Sequence, residues 1–155
     1  IPISKITKVE EKLDAIGFKL SFSKYYGGYS VSKNYEEFLD IDKLSNLIEV
    51  LKSPEANFVT VLDLANRNIK GNIKNFVEQL KDTSIIKLDF SDNNLGTKGA
   101  IAYVDALKQN SKIITLYFNK NNIGDEGAVT FANALKQNSI SITTLHINKN
   151  DIGNK

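Results

Sequence analysis

The chain has 155 residues, 41% hydrophobic and 25% charged, with a net charge of +2 and a mean hydropathy of -0.24, a composition expected of one globular domain and not of a disordered or fibrous chain. It has no cysteine and one histidine, His146, so thiolate nucleophiles, disulfides and thiolate metal sites are excluded, and neither a metal nor a cofactor is expected. Twenty cationic residues against eighteen anionic, with Arg67 the single arginine, argue against nucleic acid, and no apolar run approaches the roughly 20 residues that cross a bilayer.

In chain order, Ile6, Val9, Leu13 and Ile16 recur at helical spacing and predict a first helix. Leu20-Ser21-Phe22-Ser23 reads as a degenerate strand, followed by a tyrosine- and glycine-rich insertion from Tyr25 to Ser32. Half of the fourteen aromatics (Phe18, Phe22, Tyr25, Tyr26, Tyr29, Tyr35 and Phe38) fall here. They are expected to plug the end of the core, with a ligand site at Tyr25-Tyr26-Gly27-Gly28-Tyr29 as the alternative. Asp40, Asp42, Glu36 and Glu37, near Asn34, lack calcium-loop spacing and read as solvated helix residues. A helix over 42–52 follows on Leu44, Leu47, Ile48 and Leu51 and is stopped by Pro54. Strands are then predicted near 59–64, 85–90, 113–118 and 142–147, with helices near 73–81, 98–109 and 126–137.

Those later elements repeat. Between Leu88–Ser111 and Leu116–Ser139, 28 positions apart, 13 of 24 residues are identical, which shared composition does not produce. A third copy starts at Leu145 and a weaker one precedes at Leu62, giving units of about 26–29 residues. Within each unit an asparagine (Asn93, Asn121, Asn150) follows the strand, where its amide can satisfy backbone groups of the turn. Gly96-Thr97-Lys98-Gly99 and Gly124-Asp125-Glu126-Gly127 open the helices. Their repetition marks them as repeat geometry ahead of phosphate binding.

The pattern Leu-x-x-Leu-x-Leu-x-x-Asn-x-Leu, met at Ile85–Leu95, Ile113–Ile123 and Ile142–Ile152 and followed by Gly-x-x-Gly-Ala and Ala-Leu-Lys-x-Asn blocks, resembles the leucine-rich repeats of the ribonuclease-inhibitor-like, 28/29-residue class. The resemblance implies an α/β solenoid: a curved horseshoe segment with a parallel sheet on its concave face and helices on its convex face, covering 59–155, with 1–58 as an irregular N-terminal cap. Arg67, standing where the asparagine is expected, departs from the pattern. The implied function is non-enzymatic protein–protein interaction. The alternative is a substrate-recognition or regulatory part of a larger enzyme system of ubiquitin-ligase or GTPase-activating type, in which Arg67 is the one candidate arginine finger. A lysine-, asparagine- and isoleucine-heavy composition adds a host-directed microbial effector to that alternative.

The two-residue strand period puts Thr115, Tyr117, Asn119 and Lys120 on the concave side, with Thr144, His146, Asn148 and Lys149 beside them and Lys87, Asp89 and Asp92 on the preceding strand, then Asp63. These twelve are the candidate partner-binding residues, running from acidic to basic and aromatic, with Tyr117 as anchor. No catalytic residue is assigned; the Asp63–Asp89 column could serve acid–base work but is expected to be a partner-facing patch. The partner is expected to be a protein, with no nucleic acid or membrane. The chain stops where another helix should start, so it is expected to be a fragment of a longer array or to self-associate through an uncapped C-terminal end. The favoured compartment is the cytoplasm. A start at Ile1 instead of Met leaves secretion, or delivery into a host cell, open.

Overall fold

The computed structural model describes residues 1–33 and 39–153. Asn34, Tyr35, Glu36, Glu37 and Phe38, expected in the aromatic plug and acidic run, lie outside the described residues, as do Asn154 and Lys155. The elements are α1 (Ile3–Asp14), β1 (Phe18–Ser23), β2 (Gly28–Lys33), β3 (Leu39–Asp40), α2 (Ser45–Lys52), β4 (Val59–Asp63), β5 (Ile69–Lys70), α3 (Ile73–Gln79), β6 (Lys87–Asp89), α4 (Gly96–Leu107), β7 (Thr115–Tyr117), α5 (Gly124–Lys136) and β8 (Thr144–His146). One six-stranded sheet has the order β1-β2-β4-β6-β7-β8, and β3 and β5 form a small parallel pair. Every neighbour pair from β2 to β8 is parallel; β1 alone runs antiparallel, to β2.

The repeat register survives into the sheet. Leu62, Leu88, Leu116 and Leu145 lie opposite one another on successive strands, and the first three are fully buried. One layer further on, rings from strand exits and helices alternate: Phe76 to Phe90, Phe90 to Tyr103, Tyr103 to Phe118 and Phe118 to Phe131, with centroids 4.8–6.2 Å apart. The three contacts from Phe90 to Phe131 are edge-to-face, which adds to the area the rings bury. The second glycine of each Gly-x-x-Gly is where helices meet: a Cβ on Gly127 would stand 2.8 Å from that of Ile123 and 3.2 Å from that of Ala100. Packing therefore explains those glycines.

The asparagines form a ladder. Asn121 accepts at its Oδ1 from the amides of Asn93 and Leu95 in the preceding repeat and donates through Nδ2 to the Phe90 carbonyl. Asn93 and Asn150 occupy the same place one repeat away, accepting from Arg67 and Asn121 amides respectively. Each ladder residue is flanked by left-handed backbone: Asn66 and Asn68, Asp92 and Asn94, Lys120 and Asn122, Lys149 and Asp151 all have φ between 46° and 59°. Arg67 keeps only the donating half of the role, its guanidinium bonding the carbonyls of Ala65, Asn66 and Lys33, so the weighed arginine finger is spent on backbone.

Three expectations are corrected. The strands of the repeats are three residues long from β6 onward, because the chain bends after Asp89 and Tyr117 and continues only through spaced bonds such as Phe90 N to Tyr117 O and Asp92 N to Asn119 O. The stretch expected as an insertion is a turn plus β2, and β2, not the Leu20–Ser23 strand, holds the place next to the repeats: Val31 faces Leu62 and Ser32 faces Asp63. β1 covers the edge that β2 would otherwise expose. Asp40 is not a solvated helix residue: it ends β3 and caps a short 3-10 helix over Ile41–Lys43 by accepting from the Asp42 amide, whereas Asp42 is exposed within that helix and accepts from the Asn72 amide.

Candidate protein-interaction face

Two rows of side chains cross the concave face. One runs Ser30, Val61, Lys87, Thr115, Thr144 and the other Ser32, Asp63, Asp89, Tyr117, His146, each residue paired in register with the next. An ordinary sheet face would leave both rows wet. Here Asp89 is 6% exposed and Tyr117 8%, and Thr115 and Val61 are also buried.

The cover is the turn of the β1–β2 hairpin. The Ser23 carbonyl accepts from the Gly27 amide at 2.9 Å and its hydroxyl from the Tyr26 amide at 3.2 Å, which closes the turn with Gly27 at φ 76°. The turn brings Tyr26 over the strands, its ring edge-on to that of Tyr117 with centroids 5.4 Å apart. Its hydroxyl donates to the Asp89 carboxylate, Lys87 Nζ donates to the Tyr26 carbonyl at 2.6 Å, and the ring forms a small apolar cluster with Val61 and Tyr117, separate from the main core. Tyr25, on the outside of the turn and 73% exposed, stands against Tyr26 at 4.9 Å and Tyr117 at 5.8 Å between ring centroids. Tyr117 in turn stacks flat on His146, 4.5 Å apart and 7° from parallel.

The electrostatics follow from this burial. Asp63 and Asp89 each pin one carboxylate oxygen to a backbone amide two residues on, of Ala65 and Ser91. Burial lifts the Asp63 carboxyl above its usual range, and the neighbouring Asp89 charge lifts it further. The Tyr26 phenol is held far above the usual tyrosine range, first by burial and then by its bond to Asp89, so it remains a proton donor at neutral pH. Burial likewise raises Tyr117, with Tyr25 and Asp89 adding to it. The two carboxylates are thus clamped under a phenol and offer no open cleft for acid–base work.

The twelve expected face residues divide accordingly. Asp63, Lys87, Asp89 and Tyr117 lie beneath or against the hairpin turn, Thr115 is buried beside them, and Tyr117, expected as the anchor of the face, is itself only 8% exposed. Asp92, Lys120, Thr144, Asn148 and Lys149 are exposed, with Asn119 and His146 half-buried; Asn119 braces the next strand by accepting from the Asn148 amide at 2.8 Å. Tyr25 and Tyr26 are the face residues missed. Their signal was the tyrosine pair set against Gly27-Gly28, but nothing local says which side of the sheet a hairpin tip folds over. No group of three or more His, Asp or Glu among the described residues is arranged to hold a metal ion, and no helix among them is long and apolar enough to cross a membrane.

Residues 81–102, 109–132 and 138–155 match the family model described as Leucine Rich repeat. The chain carries leucine-rich repeats in three places. As a whole the structure is similar to the solved structure titled Leiomodin-1 Actin-Binding Site 2, with a TM-score of 0.58 at 20% identity over 95% of this chain and 80% of that one. At that identity the likeness concerns the fold alone. No curated protein matches the sequence.

Proposed function

We propose that the chain is a non-enzymatic module that binds a protein partner through the concave face, specifically its open β7–β8 half. The observation that carries this reading is the aromatic ledge of Tyr25, Tyr117 and His146: three rings in mutual series on the sheet surface, one of them largely exposed, beside the uncovered Lys120, Thr144, Asn148 and Lys149. Aromatic side chains that are already packed lose little entropy on binding and dominate contact energy. The structural neighbour whose title names an actin-binding site supports use of this fold for protein contact, and leaves the partner of this chain to be identified. Register steps of 26, 28 and 29 residues between Leu62, Leu88, Leu116 and Leu145 support the ribonuclease-inhibitor-like class for the repeats, with 1–58 as their cap. A mainly apolar hollow lined by Ala128, Val129, Ala132, Ile152 and Gly153, with Asp125 at its edge, supports self-association at the C-terminal end as a secondary contact.

A photo-crosslinking residue placed at Asn148 on the concave face, or at Lys98 on the convex helix α4, separates the faces directly. In lysate of the source cells the Asn148 probe is expected to capture a discrete protein and the Lys98 probe none. Capture from Lys98 alone would refute the concave reading.

A further inference from the structure

The concave face is asymmetric in a way that specifies the chemistry of what it accepts. On its strand rows the acidic half is closed, with Tyr26 and Lys87 sealing Asp89 and Asp63 beside them, and Asp92 is the one acidic member of the face left exposed, one repeat before Lys120. Its other half carries the opposite charge. Lys120 and Lys149 occupy the same position in adjacent repeats, each just before a ladder asparagine, and the Lys120 amide bonds the Asn148 carbonyl at 3.0 Å so that the two turns lie side by side. Both side chains are exposed, and neither ammonium makes a hydrogen bond or ion pair among the described residues.

That position is also an unusual one for lysine. The backbone there is left-handed in all four repeats, at φ 54° for Asn66, 59° for Asp92, 54° for Lys120 and 55° for Lys149. The first two are the residue types that tolerate this conformation, through short polar side chains; a lysine gains nothing from it. Two lysines have therefore been placed at a strained backbone position and next to a like charge, in the two repeats that supply the Tyr117–His146 stack. Strain kept without a packing return marks a functional surface.

We infer that this half of the face receives an extended, acidic segment of the partner protein that carries an aromatic side chain: carboxylates lie on Lys120 and Lys149, and the ring packs against His146, which the buried Tyr117 backs, with the exposed Tyr25 as its wall. The inference rests on the concave-face reading above and adds the partner's chemistry to it. Nucleic acid, the other anion with aromatic faces, is disfavoured by the net charge of +2 and the absence of arginine from these strands.

The test is titration of the isotopically labelled chain, followed by backbone amide NMR, with a random glutamate–tyrosine copolymer. A lysine–tyrosine copolymer and oligothymidylate serve as comparisons. The glutamate–tyrosine copolymer is expected to shift the amides of Tyr117, Lys120, His146 and Lys149, and the Lys120→Asn, Lys149→Asn double variant is expected to weaken it at least fivefold. Because asparagine suits the left-handed backbone, the same variant is expected to melt at a higher temperature than the parent, so weaker binding cannot be ascribed to misfolding. Absence of shifts on this face, or shifts indifferent to the double variant, overturns the inference. Equal shifts of the same amides by the lysine–tyrosine copolymer overturn the acidic chemistry while leaving the concave site, shifts confined to the convex helices overturn both, and tighter binding of oligothymidylate overturns the protein partner.

Discussion

Replacing Tyr26 by phenylalanine removes one oxygen atom and tests how the hairpin is held over the sheet. The ring, its cluster with Val61 and Tyr117, and the Lys87 bond to the backbone carbonyl all remain. What is lost is the hydroxyl donated to Asp89, a carboxylate 6% exposed whose other oxygen is already committed to the Ser91 amide. A hydrogen bond to a charged group contributes about 1.5–3 kcal/mol, and leaving its buried acceptor unpaired places the cost within that range or above it. For a chain this long each kcal/mol moves the melting temperature by about 2–4 °C, so a fall of about 3–12 °C is expected. Urea melts of parent and variant measure the free energy and calorimetry the temperature. Tyr25→Phe, which removes a hydroxyl from the exposed ring of the same turn, is the control and should change stability by less than about 0.5 kcal/mol. A Tyr26→Phe loss no larger than that control would show that the phenol does not hold the hairpin down, and the closed acidic half of the face would have to be given up.

Other substitutions probe the layers below. Leu116→Ala, at a fully buried position between Leu88 and Leu145, should cost about 2–5 kcal/mol in denaturant melts, and a cost below about 0.5 kcal/mol would remove it from the core. Tyr103 is fully buried with a hydroxyl that has no partner among the described residues, so Tyr103→Phe should stabilise, by about 1 kcal/mol at the low end of the unpaired-group range; a clear destabilisation would reveal a partner. The Asp63 carboxyl titrates higher in the folded state than in the unfolded chain, so the folded state binds its proton more readily and the group's contribution to stability falls as pH rises through its folded value. Asp63→Asn should accordingly raise the melting temperature at pH 7 and lose that advantage near pH 4, whereas an equal offset at both pH values would show that burial of the charge is not the cause.

Most of the repeat architecture was legible because its causes are local and recur. A strand, an asparagine, a left-handed turn and a helix are each specified within one unit of 26–29 residues, and the next unit repeats the instruction. The repeat by itself therefore sets Leu88 beside Leu116, and Asn93 beside Asn121. The helices near 73–81, 98–109 and 126–137 followed from apolar spacing for the same reason, with errors only at their ends. What tertiary structure alone decided lies where the chain stops repeating. β2 and not β1 neighbours the repeats because that arrangement aligns Val31 with Leu62 and lets β1 cover the edge, a choice between two alternating segments of similar pattern. The burial of Asp89 and Tyr117 depends on Tyr26, 63 residues before its carboxylate partner, and no periodicity relates those positions. Sequence spacing orders the columns of a solenoid face because each column is built by translation. A side chain that arrives on that face from a separate hairpin is placed by the twist and closure of the whole sheet, and only the folded molecule contains that information.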